Sequence, residues 1–374
     1  MRLSTVELRD FRSYESARAE IGPGLTVVHG ANGAGKSNLL EAICFGCTAR
    51  SPRTRNDREL IRFGAAAARV SLRLADERGG EHELAVGFGA VEGESSLQKR
   101  IRFDGAKIER PNQVPDRPLV VVFVPDRLEL LNGPPAIRRG HLDHLVGALW
   151  PGRAAHRAQY ARALAQRNAL IARIRSGGAS DTALQSWNLE LARYALELCA
   201  DRAAAIDLIA EGFTQRCAAL GLAGQARLEY RPRTRAGTPE ELSAELQERL
   251  PADLERGYTT HGPHRDDVAI LRDGHQLRAY GSQGERRLAL LALLLSERAA
   301  LAHARGHAPL ALLDDVMSEL DADRRELLLG DLAAAEGQSV IASTDLAHVP
   351  GSDSASVVRL RVAGGKITVD DQSG

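Results

Sequence analysis

The run Gly30-Ala31-Asn32-Gly33-Ala34-Gly35-Lys36-Ser37 carries the most legible chemistry in this chain. A glycine, four free positions and then Gly-Lys-Ser is the spacing with which a loop between a strand and a helix wraps a phosphate chain. Gly30, Gly33 and Gly35 leave the backbone free to curl, so that successive N–H groups point at one anion. Lys36 would reach the β- and γ-phosphates and Ser37 would hold Mg²⁺. The chain has four lysines against 45 arginines. Lysine kept at this position suits a site that needs a compact, flexible ammonium rather than a planar guanidinium.

Three further stretches carry polar groups at the ends of apolar runs. Leu310-Ala311-Leu312-Leu313-Asp314-Asp315 reads as a buried strand ending in two carboxylates, where a phosphate-loop NTPase keeps its magnesium-holding aspartate. Gly281-Ser282-Gln283-Gly284-Glu285 opens a long leucine and alanine helix, whose N-terminus can hold an anion through unsatisfied N–H groups, or whose Ser282 is an ordinary cap. Val340-Ile341-Ala342-Ser343-Thr344-Asp345 is another buried strand that ends in hydroxyls. Cys44-x-x-Cys47 raises zinc or redox chemistry. However, both cysteines share a helix face with Leu40 and Ile43, and no second pair completes a zinc site, so the expectation is core packing.

The elements that position these groups follow from periodicity. Leu25 to His29 is the strand before the loop, and Leu39, Leu40 and Ile43 recur at helical spacing after it. Val70 to Leu74, His82 to Phe88 and Lys99 to Phe103 read as antiparallel strands, with turns at Glu77-Arg78-Gly79-Gly80 and Glu92-Gly93-Glu94. From Pro134 the period becomes helical, with stripes at Leu142, Leu145 and Leu149, at Trp187, Leu191 and Leu198, and at Ile206, Ile209 and Phe213. Thr238-Pro239-Glu240-Glu241 is a capped helix start. The expected class is α/β, with a mixed-sheet ATPase head. One lobe spans 1–133 and 300–374, and a mostly helical lobe spans 134–299.

With 49 basic and 49 acidic residues, the net charge is zero, so any polyanion-binding surface is a local patch. Candidates are Arg50, Arg53, Arg55 and Arg58; Arg138 with Arg139; and Arg231, Arg233 and Arg235. The opening residues lack a signal-peptide core, and the apolar run Leu288 to Leu295 is short of a membrane span, so a cytoplasmic protein without a membrane partner is expected. His264 and Arg265 read as a structural turn.

Taken together, FRSY at Phe11, GANGAGKSNLLEAI at Gly30, FVPDRLELLNGPP at Phe123, RRGHLD at Arg138, QRNALI at Gln166, GPHRDD at Gly262, GSQGE at Gly281 and LLDDVMSELD at Leu312 resemble the RecF family. That family of bacterial recombination mediators belongs with SMC-like heads of ABC-type ATPases. The resemblance implies ATP and Mg²⁺ clamped between two copies, bound through residues Gly30 to Ser37 of one and Ser282, Gln283 and Gly284 of the other. It implies Asp314 on the metal and Asp315 as the base that polarises water. Ser343 or Thr344 would sense the γ-phosphate, and Gln113 is a candidate for the glutamine loop. Asp315 is shorter than the glutamate usual at its place, so slow turnover and a dimerisation switch are expected. The resemblance also implies DNA binding at single-strand gaps and junctions, with RecR and RecO as partners in loading RecA. Arg286 and Arg287 depart from the small or polar residues expected after the signature glutamate. The competing reading is an ABC-type regulator or transporter subunit without direct DNA binding.

Overall fold

The computed structural model describes residues 1–90, 97–114 and 116–370, and the expected turn at Glu92-Gly93-Glu94 lies outside them. The chain divides into two compact units, Met1–Arg127 with Leu301–Gly374, and Leu128–Ala300.

In chain order the first unit begins with β1 (Arg2–Phe11), β2 (Tyr14–Glu20) and β3 (Leu25–His29), followed by helix α1 (Lys36–Thr48). Next come β4 (Ala67–Ala75), β5 (Glu81–Ala90), β6 (Leu97–Phe103), β7 (Ala106–Ile108) and β8 (Val120–Phe123). An antiparallel sheet of six strands runs in the order β2-β1-β4-β5-β6-β7. Its strands alternate, because only one face meets the core. Leu8, Val70, Val86 and Ile101 are mutual cross-strand partners and are all buried. Against this face lies α1, whose Leu39, Leu40, Ile43, Phe45 and Cys47 are buried in the same core. Burying each such aliphatic side chain contributes about 1.5–3 kcal/mol.

The second unit carries α2 (Glu129–Asn132), α3 (Pro135–Leu149), α4 (Ala154–Arg175) and α5 (Leu184–Ala219), then β9 (Ala226–Arg231), α6 (Pro239–Glu248) and α7 (Leu250–Arg256). It continues through β10 (Asp267–Arg272), β11 (His275–Gln276), α8 (Leu277–Tyr280) and the start of α9 (Gln283–Arg305). The first helical stripe falls on α3, and the other two fall on the single long helix α5. What the periodicity did not show is a three-stranded antiparallel sheet, β11-β10-β9, inside this helical region. Its strands are short, and while β10 and β11 pair as a hairpin across Asp273-Gly274, β9 and β10 lie about forty residues apart in sequence. At α6 the Thr238 hydroxyl accepts the Glu241 N–H at 3.2 Å and the Glu241 carboxylate accepts the Thr238 N–H at 3.3 Å, so the expected capping box forms.

Returning to the first unit, β12 (Leu310–Asp314), α10 (Ala322–Ala334), β13 (Ser339–Ser343), β14 (Val358–Ala363) and β15 (Lys366–Val369) complete a second sheet in the order β15-β14-β3-β13-β12-β8. All neighbours here are parallel except β14 with β15. Its central strands β12 and β13 are buried along their whole length, as continuous apolar runs require when both faces are covered. The strand after which the phosphate loop springs, β3, lies between β13 and β14. The loop therefore opens at the carboxyl ends of the parallel strands, where open α/β sheets place their ligands.

Candidate functional site

Gly30, Gly33 and Gly35 take φ of 149°, 76° and 117°, values that L side chains rarely adopt. At two of them a side chain is also barred by its surroundings. A Cβ on Gly30 would stand 2.3 Å from the Val362 carbonyl oxygen, and one on Gly35 would stand 2.8 Å from the Tyr14 hydroxyl. Gly35 occupies the N-cap of α1 and gives it no side-chain hydrogen bond, and no acidic residue stands in the first turn. The helix thus begins with donors and dipole uncompensated, the arrangement that favours an anion. Lys36 is buried and donates to the loop's own carbonyls, Gly30 at 2.8 Å and Ala31 at 3.0 Å. Burial pushes its pKa down, against the opposing pull of the Asp315 and Asp314 carboxylates.

The acidic strand end meets this loop. Ser37 Oγ donates to Asp314 Oδ1 at 2.9 Å, across 277 residues of sequence. Burial raises the Asp314 pKa, while the Ser37 hydroxyl and the charges of Arg53 and Lys36 work the other way. Asp315 adopts φ 54°, in the left-handed region, and its N–H donates to the Ala342 carbonyl at 3.1 Å. Its Oδ1 is buried with no hydrogen-bond partner. A strained, non-glycine backbone holding an orphaned carboxylate oxygen costs stability, and such costs persist where a site uses them. The hydroxyl of Ser37, the carboxylates of Asp314 and Asp315 and the ammonium of Lys36 make a hard-oxygen donor set beside a cation, which fits a magnesium triphosphate.

Behind the loop stands the turn between β1 and β2. The Tyr14 hydroxyl, fully buried, donates to the Gly35 carbonyl at 3.0 Å. Arg12 grips the buried Glu41 of α1 with two bonds of 2.8 Å, and Ser13 Oγ accepts from Asn38 at 2.9 Å. Arg53 joins the same group through Asn38 at 3.1 Å and Glu41 at 3.4 Å. Phosphate-loop spacing did not point to these supporting residues; the only signal was the FRSY run itself. Arg53 therefore lies against α1 and close to Asp314, rather than standing apart in a solvated arginine run.

In the second unit Ser282, Gln283 and Gly284 are exposed at the start of α9. Ser282 Oγ accepts the Glu285 N–H at 3.2 Å, and the Glu285 carboxylate, held at low pKa first by the Ser282 N–H, accepts that N–H at 2.7 Å. Ser282 is thus one half of a reciprocal cap, with Arg272 paired to Glu285 behind it. The departure at Arg286 has a local explanation: its guanidinium donates to the Gly281 carbonyl at 3.0 Å and to Asn132 at 3.1 Å, bracing the exposed turn.

Other sequence candidates fall elsewhere. Arg138 is buried and forms a two-bond pair with Asp267 at 2.7 and 3.0 Å, and Arg139 donates to the Asp266 carbonyl at 2.8 Å. The reading of Arg138 as a DNA contact is corrected on this ground, since freeing it would strand Asp267. The Arg233 N–H donates to Asp266, and Arg231 pairs with Glu229, while Arg55 is exposed. Gln113 Oε1 accepts the N–H groups of Glu109 and Arg110 and so serves as a local cap. Ser343 is spent on the Asp345 carbonyl at 2.8 Å, and Thr344 is half-buried beside it. His264 bridges the Tyr160 hydroxyl at 2.6 Å and the Thr259 carbonyl at 2.9 Å, the structural turn its context suggested. Cys44 and Cys47 are free and buried in the core, with burial pushing their thiols up to about 11 and about 12.

A phosphate loop, an acidic strand end beside it and a parallel sheet that presents both define a phosphate-loop nucleotide-binding protein. The RecF/RecN/SMC N-terminal domain model matches residues 2–364. The "DNA replication and repair protein RecF" of Heliobacterium modesticaldum is 36% identical over 353 residues, 92% of this chain and 93% of its own length. That of Myxococcus xanthus is 35% identical over 386 residues, 99% and 97% of the two chains. A solved recombination mediator protein RecF with ATP, of the RecFOR pathway, superposes with a TM-score of 0.85 at 27% identity, covering 99% of this chain and 98% of that one. The Smc head bound to the winged-helix domain of ScpA shares the fold alone, with a TM-score of 0.56 at 18% identity. The chain belongs to the RecF family. No helix among the described residues is long and apolar enough to cross a membrane.

Proposed function

We propose that this protein is an ATP-dependent, DNA-binding recombination mediator that works in DNA repair and replication by closing as a homodimer around nucleotide. The observation that carries the reading is the corner formed by Lys36, Ser37, Asp314 and Asp315, where charged groups are placed but left with makeshift or missing partners. ATP binds through the N–H groups of Gly30 to Ser37. Lys36 exchanges the Gly30 and Ala31 carbonyls for phosphate oxygens, a stronger, charge-assisted interaction. Ser37 and Asp314 would hold Mg²⁺, which when bound would supply positive charge against that of the triphosphate. Asp315 orients the attacking water as base, and Thr344 stands at the γ-phosphate. Arg53, braced on Asn38 and Glu41, adds a second cation near the same phosphates.

Ser282, Gln283 and Gly284 lie exposed at a helix start, so they act on the nucleotide of a second copy. ATP then makes more contacts in the dimer than in either subunit, and must favour association by that difference. Asp315, one methylene shorter than glutamate, reaches water poorly, which suits slow hydrolysis and a switch. DNA at gaps and junctions is the substrate of the closed state, with RecR and RecO as its protein partners.

Sedimentation with Mg²⁺ and a non-hydrolysable ATP analogue tests the switch. Wild type dimerises, whereas Lys36→Ala and Ser282→Ala stay single; dimers in both variants would overturn the trans site. DNA binding measured with and without ATP at fixed salt separates the mediator reading from that of a regulator that never touches DNA.

A further inference from the structure

One end of the antiparallel sheet is built of cations. Strand pairing sets Ser16, Arg9, Arg69, Gly87 and Arg100 side by side, with no carboxylate in the row. The row faces away from the core. Leu8, Val70, Val86 and Ile101, one residue along each strand, are buried, whereas Arg9, Arg69 and Arg100 are exposed. The next outward row reads Arg18, Glu7, Ser71, Ala85, Arg102 and Lys107, with Ser71 and Ala85 buried at its middle and Arg69 donating to Ser71 Oγ at 3.0 Å.

Two directly opposed pairs are cation on cation, Arg9 with Arg69 and Arg102 with Lys107, and like charges so placed work against the sheet. Arg69 does reach Glu83 at 2.9 Å, but both side chains are exposed and such a pair is easily exchanged. Gly87, in the middle of β5, has no positive φ, and a Cβ there would meet nothing within 4 Å. Nothing among the described residues therefore calls for glycine at this place. A glycine inside a strand fits the close approach of something from outside.

Beside the row stands Phe63, 99% exposed. Its position is fixed by Arg62, whose N–H donates to the Asp10 carbonyl at 2.8 Å and whose guanidinium pairs with the Asp10 carboxylate at 2.8 Å, next to Arg9. An uncovered ring thus lies one residue beyond the contact that ties Arg62 to the Arg9 end of the row.

We propose that this face binds nucleic acid, with Arg9, Arg69 and Arg100 on the phosphates of one strand and Phe63 stacked on an unpaired base at the end of a duplex. The proposal rests on the DNA-binding reading above and gives it a surface. The three arginines span three strand spacings, about 14 Å, which matches roughly four phosphates along one strand of duplex. A face made for an acidic protein would need neither the low glycine floor nor an aromatic beside the cations.

The test compares wild type, R9A/R69A/R100A and F63A, bound to a blunt duplex and to the same duplex with a single-stranded overhang, across a salt series with ATP analogue present. The triple variant should lower the slope of log affinity against log salt by nearly 3, about 0.9 for each phosphate that is no longer neutralised, and weaken both substrates by about tenfold or more. F63A should weaken the overhang substrate about tenfold and leave the blunt duplex unchanged. Nucleotide-driven dimerisation, which uses none of these residues, reports that each variant is folded. If the triple variant is misfolded, R69Q and R100Q singly should each lower the slope by about 0.9. An unchanged slope in a dimer-competent variant overturns the proposal and leaves the face to an acidic protein. An F63A variant that binds the overhang normally overturns the stacking role. Wild type that binds neither DNA at any salt overturns the function proposed above, not merely its surface.

Discussion

Two groups of buried charge in this protein are built on opposite terms. In the second unit Arg167 is 0% exposed and donates to Asn188 at 2.8 Å, Asp253 and Thr259 at 2.7 Å and the Leu246 carbonyl at 3.2 Å. Asp253 in turn accepts from the N–H and hydroxyl of Thr260 at 2.8 and 2.7 Å. Arg202 is held likewise by Asp143, Asp266 and the Pro263 carbonyl. In the first unit Lys36 folds back on its own loop, and Asp315 keeps an unpartnered oxygen on a strained backbone. Buried ions cost several kcal/mol to desolvate, and only a full set of partners offsets this. The saturated group is architecture. The unsaturated one is the corner where the proposed nucleotide would supply the remaining partners.

The sharpest way to break that comparison is Arg167→Ala. It strands the Asp253 carboxylate without water and should cost about 3–5 kcal/mol, read as a large fall in the unfolding midpoint by calorimetry. A variant as stable as wild type would show that the network is not structural. Asp315→Asn comes next. Nucleotide-driven dimers should persist while phosphate release slows by about 10²–10⁴-fold, the usual contribution of a positioned base; unchanged turnover would remove Asp315 from that role.

The smallest effect has the opposite sign. Burial raises the Asp314 pKa, so the folded chain favours its protonated form, and the ionised carboxylate works against folding once pH rises past the ordinary carboxylate range. Asp314→Asn should therefore raise the unfolding midpoint of the nucleotide-free protein at neutral pH, and the gain should vanish in acid below the unfolded aspartate pKa. The same variant should lose its stabilisation by magnesium nucleotide. Destabilisation at neutral pH would place Asp314 with the saturated group.

Residues that must act together within a few positions were legible from sequence, because the chemistry fixes both type and spacing. Gly30 to Ser37 and the carboxylates ending the Leu310 strand are of this kind. Where a charge finds its partner through the fold, sequence misleads. Arg138 looks like any surface arginine until Asp267, 129 positions on, closes over it. Arg53 sat in a run that offered a polyanion patch, yet packs on α1 through Glu41. The cationic row escaped notice for the same reason: Arg9, Arg69 and Arg100 are unremarkable singly, and only strand register makes them neighbours. In the short sheet of the second unit, β9 was hidden because it pairs with β10 across the α6 and α7 helices.

The place of β3 between β13 and β14 has a consequence for how the molecule is made. The strand that launches the nucleotide loop, Leu25–His29, is translated long before its two neighbours, Ser339–Ser343 and Val358–Ala363. Long loops must close before such pairing is rewarded, which slows assembly. The intervening unit, Leu128–Ala300, is synthesised whole before then and its internal pairings need no later residue. Nucleotide competence therefore waits until both neighbours of β3 have been made. A stop codon ahead of Ser339 would erase it, although every residue of the phosphate loop had already been translated.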